Sequence, residues 1–336
     1  MTRGSASGNN SCSLDLHIWP RLQAVATQVS RLVVVDASGR PRAVVSTRQT
    51  PDASAEVEVA RADLAAILLD AAHDEAEIVL GDEITALSQD DGGVDVMFRQ
   101  GSGRRFDLVL GADGLHSGVR RIAFGPEHHF AKPFGMLVGT MHTTLGGDTH
   151  DLQLFNRPGI SLSIHPATGD PLAAFIFRSD QPYDHHDPDA RKHLVESAYS
   201  GQGWLTDRAV AEWNHADDVY FDAVTRITMP TWTRGRISLL GDAADCISLL
   251  GEGSSNAIVG AKILSDALVT HPTDQGHALA QYEATQRRRL RSFQRKAGLN
   301  SHFLVPSTRL GLTVCNTGLR LASRLRWPQH RPEASR

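Results

Sequence analysis

Two short runs in this chain join a buried strand to a glycine–aspartate turn, and both carry residue types suited to holding a ligand. The first is Asp107-Leu108-Val109-Leu110-Gly111-Ala112-Asp113-Gly114-Leu115-His116-Ser117. Phe106–Leu110 reads as a strand, Gly111–Gly114 as its turn, and a helix is expected to begin near Ser117. In α/β sheets ligands bind beyond the carboxyl ends of strands. Glycines such as Gly114 let backbone approach a ligand closely, and a fresh helix N-terminus favours anions. Asp113, itself negative, suits hydroxyls, backbone amides or ordered water beside a phosphate. The same residues also fit a plain strand–turn–helix in which Asp113 caps the helix.

The second run begins with the apolar strand Arg236–Leu240 and ends it on Gly241-Asp242. A loop follows, then Gly251-Glu252-Gly253-Ser254-Ser255-Asn256, where a helix running to Thr270 starts. Asp242 at a strand tip can accept hydrogen bonds from a polyol. The N–H groups near Ser254, Ser255 and Asn256 form a positive pole that stabilises an electron-rich ring system. A capped helix after a flexible loop is the plainer alternative.

Other clusters carry less. His128-His129, His185-His186-Asp187 and His193 lack the spacing of a metal site, so no metal is expected. No G-x-S-x-G elbow exists. Cys246 reads as a small buried residue. Arg287-Arg288-Arg289, Arg291 and Arg295 read as a solvated helix face. Leu310, Val314, Leu321 and Leu325 form one stripe of an amphipathic helix, which is expected to pack on the body rather than on a membrane surface.

The elements around these runs fall into three blocks. Arg31–Val45 reads as a hairpin about Asp36-Ala37-Ser38-Gly39, Ala62–His73 as a helix and Glu77–Leu80 as a short strand. Ile84–Gln89 and Val94–Arg99 flank the turn Asp90–Gly93. Residues 126–231 change texture: Met136–His142, Leu152–Phe155, Ile160–His165 and Leu172–Arg178 alternate between Gly/Pro/Asp turns, as in an antiparallel sheet, with Pro188–Ser200 as a helix on it. After the Gly241-Asp242 strand come helices at Ser254–Thr270, His277–Arg295 and Leu310–Trp327. The order is α/β, β-rich, α/β, which an inserted domain explains. The expected divisions are a lead-in at 1–12, an α/β domain of 13–125 and 232–305, a β-sheet domain of 126–231, a C-terminal helix at 306–327 and a disordered tail at 328–336. The hairpin 31–45 is expected to join the β-sheet domain.

Composition narrows the class. The 336 residues include 34 Lys+Arg, 38 Asp+Glu and 41% hydrophobic residues, which is enough for a sizeable core. From Arg287 onward there are 12 Lys+Arg against Glu333 alone, while the preceding 286 residues carry 22 basic and 37 acidic. So acidic a body disfavours nucleic-acid binding. No apolar run reaches the ~18 residues of a membrane span, and the polar N-terminus lacks a signal-like core. Three separated cysteines fit a reducing cytoplasm. The composition neither requires nor excludes a homo-oligomer.

Taken together, the Asp113-Gly114 and Gly241-Asp242 motifs resemble those of the FAD-dependent aromatic hydroxylases. These are single-component monooxygenases similar to para-hydroxybenzoate hydroxylase and the tetracycline-modifying enzymes. The resemblance runs from about Leu14 to Trp327. It implies an α/β fold: an FAD/NAD(P)-binding Rossmann-like domain, an inserted antiparallel β-sheet substrate domain and a C-terminal helix. It implies that Asp242 holds the ribityl chain of FAD, and that Asp113 lies near the FAD pyrophosphate and the NADPH path. Arg61, in Val59-Ala60-Arg61-Ala62-Asp63-Leu64, would contact the flavin nucleotide. Gly241, Gly251, Gly253, Ser254, Ser255 and Asn256 would form the loop and helix start facing the flavin. The implied reaction uses NADPH or NADH and O₂ to hydroxylate a phenolic or polycyclic aromatic through a flavin C4a-hydroperoxide.

The chain departs from that pattern at two places. The family opens with a strand and a G-x-G-x-x-G turn, and this sequence has neither. Such a βαβ unit takes ≈30 residues, so the Rossmann-like domain is expected to be N-terminally incomplete, with strands left unpaired. The loop Asp245–Gly251 is also one residue shorter than usual and lacks its proline. Three readings therefore stand: a monooxygenase, a non-catalytic relative that binds FAD poorly or not at all, or a chain whose true start lies upstream.

Overall fold

The computed structural model describes residues 2–3, 18–27, 29–46, 57–146, 150–167, 169–181, 187–246 and 253–325. Its strands in chain order are β1 (Thr2–Arg3), β2 (Arg31–Val35), β3 (Pro41–Ser46), β4 (Glu58–Val59), β5 (Ile84–Asp90), β6 (Gly93–Phe98), β7 (Arg104–Phe106), β8 (Val109–Gly111), β9 (Ala131–His142), β10 (Asp151–Arg157), β11 (Ile160–His165), β12 (Leu172–Arg178), β13 (Val219–Ile227), β14 (Thr233–Arg234) and β15 (Ile237–Leu239). Its helices are α1 (Trp19–Ala24), α2 (Arg61–Ala72), α3 (Gly118–Ala123), α4 (Pro188–Tyr199), α5 (Thr206–His215), α6 (Asp242–Asp245), α7 (Gly253–Thr270), α8 (Gln275–Leu304) and α9 (Arg309–Leu325). The chain divides into two compact units. One comprises Met1–Thr27, Thr50–Phe134 and Val224–Gly298, the other Gln28–Gln49, Gly135–Ala223 and Leu299–Arg336.

The first unit carries both glycine–aspartate turns. Its central sheet has the order β14-β15-β8. β15 runs parallel to β8, with Ile237 opposite Val109 and Leu239 opposite Gly111. Two parallel strands therefore deliver their turns to the same sheet edge, as a ligand site of this class requires. Val109, Ile237 and Leu239 form a core with Val119 of α3, Leu264 of α7, and Leu279 and Tyr282 of α8. The Tyr282 hydroxyl donates to the Leu239 carbonyl at 3.1 Å, so this buried polar group of α8 is satisfied by the sheet. A separate antiparallel sheet, β5-β6-β7, packs on the same core.

Two strand expectations change here. Phe106–Leu110 is not one strand: Phe106 ends β7 opposite Val94, and β8 starts at Val109 in another sheet. Glu77–Leu80 forms no strand. An aliphatic run becomes a strand only where an edge pairs it, and among the described residues none does. Ile78, Val79 and Leu80 are 38%, 61% and 80% exposed. β8 is likewise a terminal strand, and its middle residue Leu110 is 39% exposed.

The second unit is built on a seven-stranded sheet, order β13-β9-β12-β11-β10-β2-β3. β9, β12, β11 and β10 pair antiparallel in turn, as do β2 and β3, while β10 and β2 run parallel. One face packs Leu162, Ile164, Phe175 and Phe177 against Val195 and Tyr199 of α4 and Trp213 of α5. The hairpin β2–β3 extends this sheet, and its turn is fixed by Asp36, which accepts from the Ser38 and Arg40 amides at 2.9 and 3.0 Å. α5 and β13 are additions to the sequence reading, and α8 continues past Arg295 to Leu304. α9 lies along β3 and β10, with Leu310 and Val314 exposed. Of the expected disordered lead-in 1–12, Thr2–Arg3 forms β1, paired antiparallel with β4, and the rest of it lies outside the described residues, as does the expected tail 328–336.

Candidate functional site

The Gly241-Asp242 turn is shaped by backbone geometry before any side chain acts. Gly241 has φ +60°, and a Cβ there would stand 3.1 Å from the Ala257 Cβ of α7. Only glycine meets that conformation and that close approach without strain. The turn lets Asp242 open the short α6 directly after β15. Its carboxylate reaches the start of α7, with Oδ1 3.4 Å from where a Cβ on Gly253 would sit. Burial pushes the Asp242 carboxyl above the usual carboxylate range, while the Arg61 charge and a hydrogen bond with Cys246 pull it back. The structure thus brings together Arg61 at the first turn of α2, Asp242, and the α7 N-terminus. Cys246 is buried, and its carbonyl accepts from the Ile227 amide at 2.9 Å.

The Asp113 turn is committed to structure as well as open to a ligand. Asp113 Oδ1 accepts from the Ser117 hydroxyl at 2.5 Å and Oδ2 from the Val119 amide at 3.0 Å. Ser117 is the N-cap of α3 and accepts from the Arg120 amide at 2.9 Å. Asp113 is therefore not itself the N-cap: it holds Ser117, which is, and satisfies the Val119 amide of the first turn of α3. Gly114, at φ +82°, has nothing within 4 Å of the position of a Cβ, so its backbone stands open.

Three side chains whose roles the sequence did not disclose tie the two turns to the helices. Arg120 is fully buried. It donates to the Leu115 carbonyl at 2.5 Å, to Glu127 at 2.9 Å and to the Ala243 carbonyl at 3.0 Å, linking the Asp113 loop to α6. Burial draws its guanidinium below the usual range, and Glu127 and Asp113 oppose that. On α8, Gln286 donates to the Asn256 backbone carbonyl at 3.1 Å, and Arg289 to the Asn256 side chain at 2.8 Å. The Arg-rich face is thereby corrected. Arg289 holds the start of α7, and Arg287 pairs with Glu283 at 2.8 Å and lies 4.5 Å over the Trp232 ring. Spacing alone flagged the basic run but not Asn256, which lies 33 residues from Arg289 in sequence.

Ser254, Ser255 and Asn256 lie in the first turn of α7 after Gly253, whereas Gly251 falls outside the described residues. No group of three His, Cys, Asp or Glu side chains suited to a metal occurs among the described residues. A half-buried carboxylate, a nearby guanidinium and a helix N-terminus suit the polyol and ring end of a flavin nucleotide. The described residues supply no glycine-rich turn for its pyrophosphate beyond the open Gly114 backbone.

An α/β nucleotide-binding sheet with two parallel strands ending on glycine–aspartate turns defines an FAD-binding-domain fold. Residues 16–297 match the family described as "FAD binding domain", and the chain belongs to that family of flavin-dependent monooxygenases. An uncharacterised Mycobacterium tuberculosis protein is 34% identical over 239 residues, 70% of this chain and 64% of its own. A protein named flavin-dependent monooxygenase from Legionella longbeachae is 31% identical over 288 residues, 83% of this chain and 72% of its own. The crystal structure of the tetracycline destructase Tet(55) superposes with a TM-score of 0.82 at 26% identity, covering 96% of this chain and 86% of that one. Against the mycobacterial relative the chain spans just under two thirds of that protein's length.

Proposed function

We infer that the chain works as an FAD-dependent monooxygenase that draws electrons from NADPH or NADH and hydroxylates a phenolic or polycyclic aromatic compound with O₂. The observation that carries this reading is the half-buried Asp242 carboxylate, set against the first turn of α7 and within the field of Arg61. A carboxylate kept there against its desolvation cost needs hydrogen-bond donors, and the hydroxyls of a ribityl chain are such donors.

When bound, FAD would supply the redox chemistry, accepting two electrons and activating oxygen. The chain's own residues bind and orient. Asp242 would accept from the ribityl hydroxyls. Arg61 would neutralise part of the nucleotide's charge. The positive pole of the α7 N-terminus, at Ser254, Ser255 and Asn256, would favour negative charge on the ring beside it. Arg289 and Gln286 fix Asn256, so that helix start is preorganised. Gly114 would let backbone approach a phosphate, with Asp113 holding the turn in shape.

The test is FAD titration of the chain, followed by NADPH consumption with a phenolic probe and with tetracycline, on wild type and Asp242→Ala. Saturable FAD binding that the substitution weakens, with probe-stimulated NADPH oxidation, is the expected result. Equal FAD affinity in the variant would remove the ribityl role.

A further inference from the structure

The start of α9 is pinned to the sheet of the second unit. Val305, just before it, is fully buried, and its carbonyl accepts from Arg178 Nε of β12 at 2.9 Å. The Pro306 carbonyl accepts from the Gly159 amide, in the turn between β10 and β11, at 2.9 Å. The Thr308 hydroxyl then accepts from the Gly311 amide at 3.1 Å and closes the first turn. The sheet therefore sets which way each flank of the helix faces.

Those flanks differ. α9 lies along β3 and β10, and Leu312 and Cys315 are half-buried. Leu310 and Val314, one turn apart, are 76% and 56% exposed. By sequence spacing Leu321 and Leu325 continue their stripe. Each residue of the stripe directly follows a polar one: Arg309-Leu310, Thr313-Val314, Arg320-Leu321 and Arg324-Leu325. Neighbours on a helix stand about 100° apart, so an arginine-bearing stripe runs beside the apolar one. Single exposed apolar residues are ordinary. An apolar stripe edged with arginine marks a contact surface.

Charge selects the occupant. Between Glu283 and Glu333 there is no Asp or Glu, while eleven Lys and Arg occur. A second copy docked on the same stripe would bring like charges together. The longer stretches outside the described residues, 4–17, 47–56 and 326–336, are mostly polar and hold one, two and one acidic residues, too few to match that charge. Trp327, also outside the described residues, follows the helix in sequence, and tryptophan favours the headgroup level of a bilayer.

We propose that α9 docks the protein on an anionic lipid surface, with Leu310 and Val314 entering the boundary between headgroups and acyl chains and the stripe that begins at Arg309 lying against lipid phosphates. An interfacial helix needs an apolar flank, a basic edge and no acid, and its arginines keep their heads in the polar layer. The docking is independent of the flavin reading.

The experiment sediments the full 336-residue chain with phosphatidylcholine vesicles that do or do not contain about one third phosphatidylglycerol. The expected result is affinity for the anionic vesicles at least about tenfold above that for the neutral ones, and release near 1 M salt. Leu310→Ser with Val314→Ser, both at exposed positions, should lower that affinity at least about tenfold and leave the thermal transition unchanged. Arg309→Gln should weaken it several-fold. Val269→Ser, at a 77% exposed position of α7, should leave it as it is.

Equal affinity for neutral and anionic vesicles, or no binding to either, would overturn the proposal. So would full binding by the Leu310→Ser, Val314→Ser variant, which would reduce the effect to adsorption of the basic stretch. A weakening by Val269→Ser as large as that of the double variant would do the same. Dimerisation without vesicles that the double variant abolishes, read by sedimentation equilibrium, would assign the stripe to a second copy instead.

Discussion

Asp242 makes opposing demands on this protein. Its carboxyl is pushed up by burial, so in the unliganded chain the protonated form is the better tolerated one. A raised folded value means stability that is present below the unfolded pKa and lost as pH rises through the folded one. At neutral pH the ionised group therefore strains the apo-protein. Asp242→Asn should raise the apo melting temperature by a few degrees at pH 7 and by less at pH 4, read by calorimetry. Asp242→Ala should weaken FAD by about 1.5–3 kcal/mol, the worth of a hydrogen bond to a charged group. Arg120 behaves in the opposite way. Replacing it with Met leaves Glu127 and two carbonyls without their donor and should cost about 3 kcal/mol in urea unfolding. Glu127→Gln, at a partly exposed group, should cost much less.

At the scale of elements, the packing of α3 on β8 and of α7 on β15 sets the geometry of both turns. Gly111→Ala should cost about 1–3 kcal/mol, because its Cβ would press on the Val119 Cβ and the Leu239 side chain at 2.8 Å. Denaturant midpoints of the variant and wild type check this. The two strand–Gly–Asp runs were legible in sequence because an apolar run ending on glycine and aspartate has few other uses. The helices after them were legible from periodicity, as were the hairpin at Asp36–Gly39 and the alternation of β9 to β12. Glu77–Leu80 misled because a strand pattern states a preference and not a partner. Phe106–Leu110 misled because apolar continuity hides the break at Asp107-Leu108, where the chain passes between sheets. Arg120, Gln286 and Arg289 could not be read in advance: their bonds go to backbone carbonyls and an amide set by tertiary contact. The Asp113 motif was legible, and its bonds to Ser117 and Val119, which brace the start of α3, became visible only in the structure.

For the whole molecule, the first unit combines a family match spanning residues 16–297 with a sheet whose terminal strand β8 has one strand neighbour among the described residues. Leu110→Lys, at an exposed position of that strand, should leave the thermal unfolding of the first unit unchanged, read by calorimetry. The second unit has its own core and a long mixed sheet, and its stability should be insensitive to that substitution.

The central claim is that the Asp242 end of the first unit holds a flavin, and the most direct measurement is titration of the purified chain with FAD, followed by visible absorbance. A saturable perturbation of the flavin spectrum, shifted to higher FAD concentration in Asp242→Ala, is the predicted result. A flavin spectrum that stays that of free FAD at every protein concentration, with the chain folded by circular dichroism, would contradict it.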